Sequence, residues 1–324
     1  MSDERRESGA APPGVSEGSL AGQVLASYHD QWDVFLNGET VRCSVRARQF
    51  ADLKPQEKLL VPGDRVIVAE AEGGATVIER VLERDTRLSR RMPGTASDFE
   101  QIIVANAEQL IAVASFRTPK HNPRLLDRYL VIAEDAGLSS VIVLNKTDLV
   151  DEIVVKEAAA PYEAAGYRVL PTCAVTGEGV DALANALDGH LSVLAGPSGA
   201  GKSSLLNAIE PGLGLRVRTV SQKTGKGKHT TTNVHIFPLG ESTFVADTPG
   251  FRELGFWRIR PEDLPSLFPE FDEYVGQCRY RSCRHVPEPG CAIQDAVEAG
   301  ALDAGRYDSY KRLLAEVEEN TRRR

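Results

Sequence analysis

The segment GPSGAGKSS at 196–204 has the spacing GxxxxGK[ST] of a phosphate-binding loop. In such a loop, backbone N–H groups surround the phosphate oxygens, Lys202 reaches the β- and γ-phosphates, and the Ser203 hydroxyl holds Mg²⁺. The apolar run at 191–195 predicts a buried strand, and the residues after the loop predict a helix whose N-terminus favours anions. We therefore predict phosphate binding rather than a glycine-rich turn without a ligand. The predicted phosphate-binding residues are Gly196, Pro197, Ser198, Gly199, Ala200, Gly201, Lys202, Ser203 and Ser204.

A second polar segment, NKTD at 145–148, follows an apolar run that predicts another strand. Asn145 can hydrogen-bond a base and its surroundings, and the Asp148 carboxylate can accept two N–H donors from the edge of guanine. Adenine does not offer that pair, and a polar site rejects an analogue that leaves its buried groups unpaired. Alone, the segment could equally be a loop with a capping aspartate, but beside a phosphate-binding loop it favours guanine. The predicted guanine-binding residues are Asn145, Lys146, Thr147 and Asp148.

Two further segments predict how Mg²⁺ is held. FVADTPGF at 244–251 predicts a strand that brings Asp247 to Mg²⁺ through water, while Gly250 lets the backbone approach the γ-phosphate. The segment 216–234 is rich in glycine and threonine, and a long loop without obvious structure is more often functional than a mere connection. The predicted magnesium ligands are Ser203 and Thr231, with Thr230 and Thr232 as alternatives to Thr231.

The order of these segments along the chain is unusual for a GTP site. The guanine segment comes first, then TCAVTGEG at 172–179, which we expect to support the base, and only then the phosphate-binding loop. A site is a spatial object, and a compact domain tolerates circular permutation at exposed loops. We therefore predict a circularly permuted GTP-binding domain. Within 172–179, Cys173 is predicted to be a half-buried thiol without a chemical role.

Four candidate metal ligands lie within the segment CRYRSCRHVPEPGC. Three thiolates and one imidazole form the closed tetrahedral set of a structural Zn²⁺ site. Their spacing is not among the commonest zinc-finger patterns, so the alternative of unlinked thiols and a surface histidine stays open. Three of the five cysteines lie here, which argues against a disulfide framework and for a metal in a reducing compartment. The predicted ligands are Cys278, Cys283, His285 and Cys291.

The composition indicates a multi-domain protein without a membrane segment. With 324 residues and 42% hydrophobic content, the chain can bury two or three cores. No apolar stretch approaches the length of a membrane span, and the N-terminal residues lack a hydrophobic core for secretion. We therefore expect a cytoplasmic protein without a membrane partner. Short runs with strand composition at 22–83 suit a small barrel, and their periodicity leaves OB and SH3-like barrels open.

The permuted order, with GPSGAGKSS, GKGKHTTT, DTPGF and the Cys/His cluster, resembles the RsgA (YjeQ) family of GTPases that depend on the small ribosomal subunit. The resemblance covers most of the chain. It implies an N-terminal OB-fold β-barrel, a central α/β P-loop GTPase domain with circular permutation, and a small α-helical zinc-binding C-terminal domain. One departure is Cys173, where a serine is usual in such loops, and it could tune the affinity for guanine. The domains predicted on this basis are a disordered tail at 1–22, an OB-fold RNA-binding domain at 23–86, a linker at 87–94, the permuted GTPase domain at 95–256 and the zinc-binding domain at 257–324.

The resemblance also implies a function. A member of this family would bind GTP, GDP and the 30S subunit, assist or check its late maturation, and hydrolyse GTP to drive its own release. Lys202 and Thr231 are predicted to stabilise the charge on the transferring phosphoryl group. Ras-like enzymes orient the attacking water with a glutamine, but here Phe251 follows DTPG. We predict that His229 orients the water instead, with a ribosome contact or an unstructured loop residue as the alternative.

The net charge of −8 opposes an RNA partner, because phosphate contacts dominate the affinity for nucleic acids. The local distribution favours one. The segment 216–229 contains five Lys or Arg residues and no acid, and the metal segment interleaves arginines with Tyr280. Such patches can bind 16S rRNA while the acidic remainder limits non-specific attachment, and a solvated charged face is the alternative for each patch. Nothing in the sequence resembles a heptad pattern, so a monomer is expected.

Two rival functions remain open at this point. The first is a permuted GTPase that serves the large ribosomal subunit. The second is a zinc-stabilised RNA-binding regulator that uses GTP as a binding switch with negligible turnover. Phe251 gives the second some support, whereas the intact Lys202, Ser203 and Asp247 argue against it.

Overall fold

The computed structural model describes residues 19–28, 30–45, 60–71, 74–91, 100–215, 234–247, 258–286 and 288–322. These residues form two compact units, Met1–Asp85 and Thr86–Arg324. Within the described ranges, every helix is too short or too polar to cross a membrane. The predicted boundary between the nucleotide and metal-binding domains, at 256/257, falls outside the described residues and stays a prediction.

The first unit is a closed five-stranded barrel with the strand order β1-β2-β3-β5-β4. All neighbouring strands are antiparallel except β3 and β5, which run parallel. Buried valines and isoleucines fill the interior, including Val24, Val34 and Ile78, each fully buried. This confirms the predicted barrel, and closure removes the free strand edges that an open sheet would expose. The strands are β1 (Leu20–Tyr28), β2 (Gln31–Leu36), β3 (Glu39–Val45), β4 (Arg65–Glu70) and β5 (Thr76–Val81).

Two segments differ from the expected boundaries. Strand β1 begins at Leu20, inside the tail predicted at 1–22, because residues 20–23 pair with β4 and close the barrel. In the second unit, the predicted linker at 87–94 contains strand β6 (Arg87–Arg91), which pairs with β7 (Glu100–Ala105). The pairing of β1 with β4 joins residues that are distant along the chain, such as Leu20 and Val68, so local composition does not reveal it.

The second unit contains a six-stranded sheet with the order β10-β9-β8-β11-β13-β12. All its strands are parallel except the antiparallel edge strand β12. Every residue of β8 and β11 is buried, as expected for central strands that are covered on both faces. The strands are β8 (Gln109–Ser115), β9 (Ser139–Asn145), β10 (Arg168–Thr172), β11 (Leu191–Ala195), β12 (His235–Pro238) and β13 (Phe244–Asp247).

Six helices lie within the described residues of the same unit. The first begins where the Asn122 side chain accepts a hydrogen bond from the Leu125 N–H, with Pro123 at the first helical position. Single 3₁₀ turns lie at Thr147–Leu149, Pro211–Leu213, Leu264–Leu267 and Pro269–Phe271. The helices are α1 (Pro123–Asp135), α2 (Glu152–Ala164), α3 (Val180–Leu187), α4 (Lys202–Ile209), α5 (Ala292–Glu298) and α6 (Ala304–Arg322).

The chain enters this sheet through β8, extends to one edge through β9 and β10, and returns to the centre at β11. Strand β11 therefore lies between β8 and β13, where the direction of winding reverses. In open α/β sheets, ligands bind outside the carboxyl ends of the strands at such a switch point. Both the guanine segment after β9 and the phosphate-binding loop after β11 leave the sheet at the carboxyl ends of these parallel strands.

The C-terminal helices pack against α1. Phe268, Phe271 and Tyr310 form the centre of an apolar cluster that also includes Val131 of α1 and Val317 of α6. The three rings contact one another with centroids 5.2 to 5.4 Å apart. Aromatic packing of this kind gives a short, loop-rich region a core of its own.

Candidate nucleotide site and metal centre

The phosphate-binding loop, residues 196–204 (the P-loop), joins β11 to α4 as predicted from the sequence. A side chain at Gly196 would bring its Cβ within 2.5 Å of the Val113 carbonyl oxygen. At Gly201, which has a φ of 102°, the Cβ would lie 2.1 Å from Asn145 Nδ2. Both glycines are therefore required by close approach of neighbouring strands and loops. The backbone amides that follow Gly201 open helix α4, whose N-terminus provides unpaired N–H donors for an anion.

Lys202 of the P-loop and Asp247 of β13 lie on adjacent strand–loop connections. Lys202 is the first residue of α4, and its Nζ donates to the Gly196 carbonyl at 2.7 Å. Asp247 ends β13 and pairs in register with Leu194 of β11, so its carboxylate reaches the same edge of the sheet. Burial lowers the pKa of Lys202, and the charge of Asp247 opposes that shift. The predicted roles, phosphate binding by Lys202 and a water-mediated contact of Asp247 with Mg²⁺, require a lysine and a carboxylate at this edge of the sheet.

The guanine segment, residues 145–148 (the guanine loop), forms direct hydrogen bonds with the P-loop. Asn145 ends β9, is 1% exposed, and donates from Nδ2 to the Ala200 carbonyl at 2.9 Å. Lys146 has a φ of 66°, and its Nζ donates to the Gly199 carbonyl at 2.6 Å and to the Thr118 carbonyl at 2.5 Å. Burial lowers the pKa of Lys146, opposed by Asp148. The structure thus brings together the two loops that the sequence predicts to form one site.

The segment 172–179 (the support loop) holds the guanine loop from the other side. Thr147 Oγ1 donates to the Thr172 carbonyl at 3.2 Å, and Thr172 Oγ1 donates to Asn145 Oδ1 at 3.3 Å. Cys173 Sγ donates to Asp148 Oδ1 at 3.2 Å. The thiol is 1% exposed rather than half-buried, and it contacts the carboxylate predicted to read guanine. Sequence reasoning missed this contact, because only the pairing of β10 with β9 places Cys173 beside the guanine loop.

Several predicted site residues lie outside the described residues. Among them are the magnesium ligand Thr231, the water-orienting His229 and Gly250, whose predicted roles stay predictions. The same holds for Thr230, Thr232 and Phe251, and for the basic residues Arg216, Arg218, Lys223, Lys226 and Lys228.

The four predicted metal ligands converge in the structure. Their ligand atoms all lie within 4.8 Å of one another. Cys278 Sγ and Cys291 Sγ are 3.9 Å apart, and each is 3.4 Å from His285 Nδ1. Metal–ligand bonds of about 2.3 Å for sulfur and 2.0 Å for nitrogen would place two tetrahedral sulfurs roughly 3.8 Å apart and a sulfur and a nitrogen roughly 3.5 Å apart. The residues present therefore fit a tetrahedral metal ion, and a disulfide, which needs sulfurs about 2.05 Å apart, is excluded.

Two tyrosines of α6 fix the backbone of this metal cluster (Cys278, Cys283, His285 and Cys291). Tyr307 Oη donates to the His285 carbonyl at 2.8 Å, and Tyr310 Oη donates to the Arg284 carbonyl at 2.7 Å. His285 itself has a φ of 61°. Burial raises the pKa of the Cys283 thiol to about 12 and lowers that of His285. A bound cation would displace the thiol protons, so metal binding and proton release would be coupled.

Comparison with known proteins identifies the family. A sequence model described as RsgA GTPase matches residues 81–257, more than half of the chain. The chain belongs to the RsgA GTPase family. A relative from Gemmatimonas aurantiaca, named small ribosomal subunit biogenesis GTPase RsgA, is 44% identical over 302 residues, covering 92% of this chain and 98% of the relative. A relative of the same name from Moorella thermoacetica is 42% identical over 300 residues, covering 92% and 97%.

Two solved structures confirm the architecture. The crystal structure of YjeQ from Thermotoga maritima matches with a TM-score of 0.75 and 34% identity, covering 92% of this chain and 98% of that one. The structure of YloQ, described as a circularly permuted GTPase, matches with a TM-score of 0.72 and 29% identity, covering 95% and 98%. The chain is therefore a circularly permuted GTPase with an N-terminal barrel and a C-terminal Cys/His cluster.

Proposed function

We propose that this RsgA-family GTPase binds the 30S ribosomal subunit, assists or checks its late maturation, and hydrolyses GTP to GDP and phosphate to drive its own release. The names of the two relatives, both small ribosomal subunit biogenesis GTPases, support the small subunit as its partner. The observation on this chain that carries the proposal is the bond from Asn145 to the Ala200 carbonyl. This hydrogen bond joins the guanine loop to the P-loop, so the two loops can bind the base and the phosphates of the same nucleotide.

Each loop has a distinct task in the proposed site. Asn145, Lys146, Thr147 and Asp148 bind the base side, with the Asp148 carboxylate accepting from guanine. The P-loop amides bind the phosphates, and Lys202 balances their charge. Mg²⁺, held by Ser203 and Thr231 and through water by Asp247, would neutralise charge that develops on the phosphoryl oxygens. His229 is proposed to orient the attacking water, and Gly250 to bring the backbone to the γ-phosphate.

The metal cluster is proposed to hold one structural Zn²⁺. Three thiols and one imidazole are the ligands that Zn²⁺ prefers, and a set of four protein ligands leaves no open position for catalysis. The metal would then stabilise the loop-rich residues around 278–291, whose cysteines pack against the C-terminal apolar cluster.

The partners are proposed to include 16S rRNA. In the described metal segment, the Arg279 guanidinium lies 5.5 Å from the centre of the Tyr280 ring, and Tyr280 is 45% exposed. An exposed aromatic ring beside arginine is the surface on which an unpaired base stacks. We further propose that the protein acts as a monomer in the cytoplasm, where ribosomal subunits are assembled.

Steady-state GTP hydrolysis tests the function directly. The purified protein is assayed alone, with 30S subunits and with 50S subunits, and Lys202→Ala serves as the blank. We expect slow turnover alone and a stimulation by 30S subunits on the order of 10³-fold or more, as in other partner-activated GTPases.

The alternatives give different outcomes in the same assay. Stimulation by 50S subunits only would assign the protein to the large subunit. Fewer than one GTP hydrolysed per protein under every condition would leave a binding switch. A His229→Ala protein with unchanged stimulated turnover would remove His229 from the catalytic residues.

A further inference from the structure

Exposed aliphatic side chains are concentrated where β9 leads into α2. Leu149, Ile153 and Val154 are 40%, 59% and 39% exposed, and Val175 of the adjacent support loop is 88% exposed. Among the described residues, eight large hydrophobic side chains are exposed, and these are four of them. Single apolar residues on a surface are ordinary, whereas a group of them marks an interaction site. This stretch of the surface is therefore a candidate for contact with a partner.

Neither the core nor the helix itself requires these side chains. Helix α2 turns Val155, Ala159 and Tyr162 towards the core, and all three are buried. Ile153 and Val154 belong to the first turn of the same helix but are exposed to solvent. Both are β-branched, and such residues form helices less readily than alanine or straight-chain residues do. A partner that covers them would account for their position.

The charges around these side chains indicate what kind of partner fits. Residues 148–163 contain five acids and one base, and the base is already paired, because Lys156 Nζ lies 2.7 Å from Glu152 Oε1. Glu157 follows Ile153 by four residues, so the two side chains project from the same side of α2. Such a surface repels the phosphates of RNA and attracts positively charged side chains. The five acids are all exposed, namely Asp148, Asp151, Glu152, Glu157 and Glu163.

We propose that the α2 surface (Leu149, Ile153, Val154 and Glu157) docks a protein segment of the 30S subunit that carries basic and apolar side chains. The inference rests on the proposed function and adds a protein contact to the proposed contact with rRNA. The acids would steer the basic segment to the surface, and the aliphatic side chains would bury apolar area once the segment is in place. Because Leu149 directly follows Asp148, the docked segment would lie beside the guanine loop.

A charge reversal distinguishes a protein partner from RNA by the sign of its effect. Glu157→Lys should weaken binding to the 30S subunit at least about threefold, because it brings like charges together, and the loss should shrink as the salt concentration increases. If RNA covered this surface, the same variant would bind more tightly. Glu163→Lys is the matched control, since it makes the same change of charge at an exposed site about 9 Å further along α2 and should change the affinity less.

Two further measurements test the apolar part of the surface and the chemistry of its occupant. Ile153→Ser should weaken 30S binding about five- to thirtyfold, the range for loss of an important apolar contact at an interface. Its GDP affinity and its GTP hydrolysis without 30S subunits should equal those of the wild type, because Ile153 lies outside the nucleotide loops. With the photocrosslinker p-benzoylphenylalanine in place of Ile153, irradiation of the complex should give a crosslink to a ribosomal protein, which mass spectrometry identifies.

Binding is measured by fluorescence anisotropy of the labelled full-length protein with purified 30S subunits. Weaker binding of both Glu157→Lys and Ile153→Ser, together with a crosslink to protein, supports the proposal. Tighter binding of Glu157→Lys, a crosslink to 16S rRNA, or an unchanged affinity of Ile153→Ser overturns it. Equal losses in Glu157→Lys and Glu163→Lys also overturn it, because they would reflect net charge alone. A wild-type protein that does not bind the 30S subunit would refute the proposed function itself, and this inference with it.

Discussion

The buried cation Arg306 connects α6 to the nucleotide-binding half of its unit, and its removal gives a quantitative test of the packing. The guanidinium donates from Nη1 to Asp127 Oδ1 of α1 at 2.7 Å, and to both carboxylate oxygens of Glu270 at 2.7 and 3.0 Å. The side chains of Arg306, Asp127 and Glu270 are 2%, 1% and 8% exposed. The ring of Phe268 lies 4.9 Å from the guanidinium carbon. Substitution of Arg306 by Met would keep the volume and leave two carboxylates buried without their cation.

The expected loss of unfolding free energy is about 3–5 kcal/mol, the cost of breaking a buried ion pair by removing one partner. For a unit of this size, 1 kcal/mol corresponds to roughly 2–4 °C, so the melting temperature should fall by roughly 6–20 °C. Burial already raises the pKa of Asp127. Without Arg306 that pKa rises further, and the folded state then binds a proton more readily than the unfolded chain does. The destabilisation should therefore be largest near neutral pH and shrink as the pH falls through the raised pKa.

Differential scanning calorimetry of Arg306→Met at several pH values measures both effects. Arg124→Met is the matched control, since it removes an arginine that also joins α1 to α6, through Asp308 at 3.4 Å. That pair is 59% and 40% exposed, so solvent screens it and the control should melt close to the wild type. If Arg306→Met melts with the wild type, or the control loses as much, the buried ion pair does not stabilise the unit as argued.

Two further perturbations test the site and the metal cluster. Gly201→Ala would place a Cβ 2.1 Å from Asn145 Nδ2 and distort the site. GDP affinity, measured by calorimetry, should fall more than about tenfold, since each ~1.4 kcal/mol of lost binding free energy is a factor of ten. Gly137→Ala, at a φ of 69° but with nothing within 4 Å, should keep that affinity; equal losses in both variants would show that backbone strain alone is responsible. Chelation should lower the melting temperature of the C-terminal region, and Cys283→Ser should reduce bound Zn²⁺ by elemental analysis while Cys43→Ser does not; full metal content in Cys283→Ser would exclude Cys283 as a ligand.

The sequence predicts the positions of the P-loop and the guanine loop well because the signals are local. GPSGAGKSS and NKTD are runs of consecutive residues, and the apolar runs before them locate the strands β11 and β9. The convergence of the Cys/His cluster is predictable for the same reason, since four candidate ligands within one short segment need little else to meet.

Contacts between distant segments were not predictable in the same way. Strand composition does not distinguish an OB barrel from an SH3-like barrel, because both use similar short strands. The barrel is closed by the pairing of β3 with β5 and of β1 with β4, which joins distant segments. Arginine is almost never fully buried unless it is paired, and nothing in the sequence near Arg306 announces Asp127 or Glu270 as partners. The bond from Lys146 to the Thr118 carbonyl likewise joins loops that only the parallel order of β8 and β9 brings together.

Helix α6 explains how the metal cluster and the nucleotide site come to lie in one compact unit. Consecutive residues of its first turns have different partners: Arg306 binds Asp127 of α1, and Tyr307 binds the His285 carbonyl of the metal cluster. Ahead of the same N-terminal half of α1, the preceding loop offers the Thr118 carbonyl to Lys146 of the guanine loop. Because short helices resist bending, α1 and α6 hold the guanine loop and the backbone of the metal cluster at fixed positions. The nucleotide site and the metal cluster thus lie in one unit even though the order of the chain is permuted.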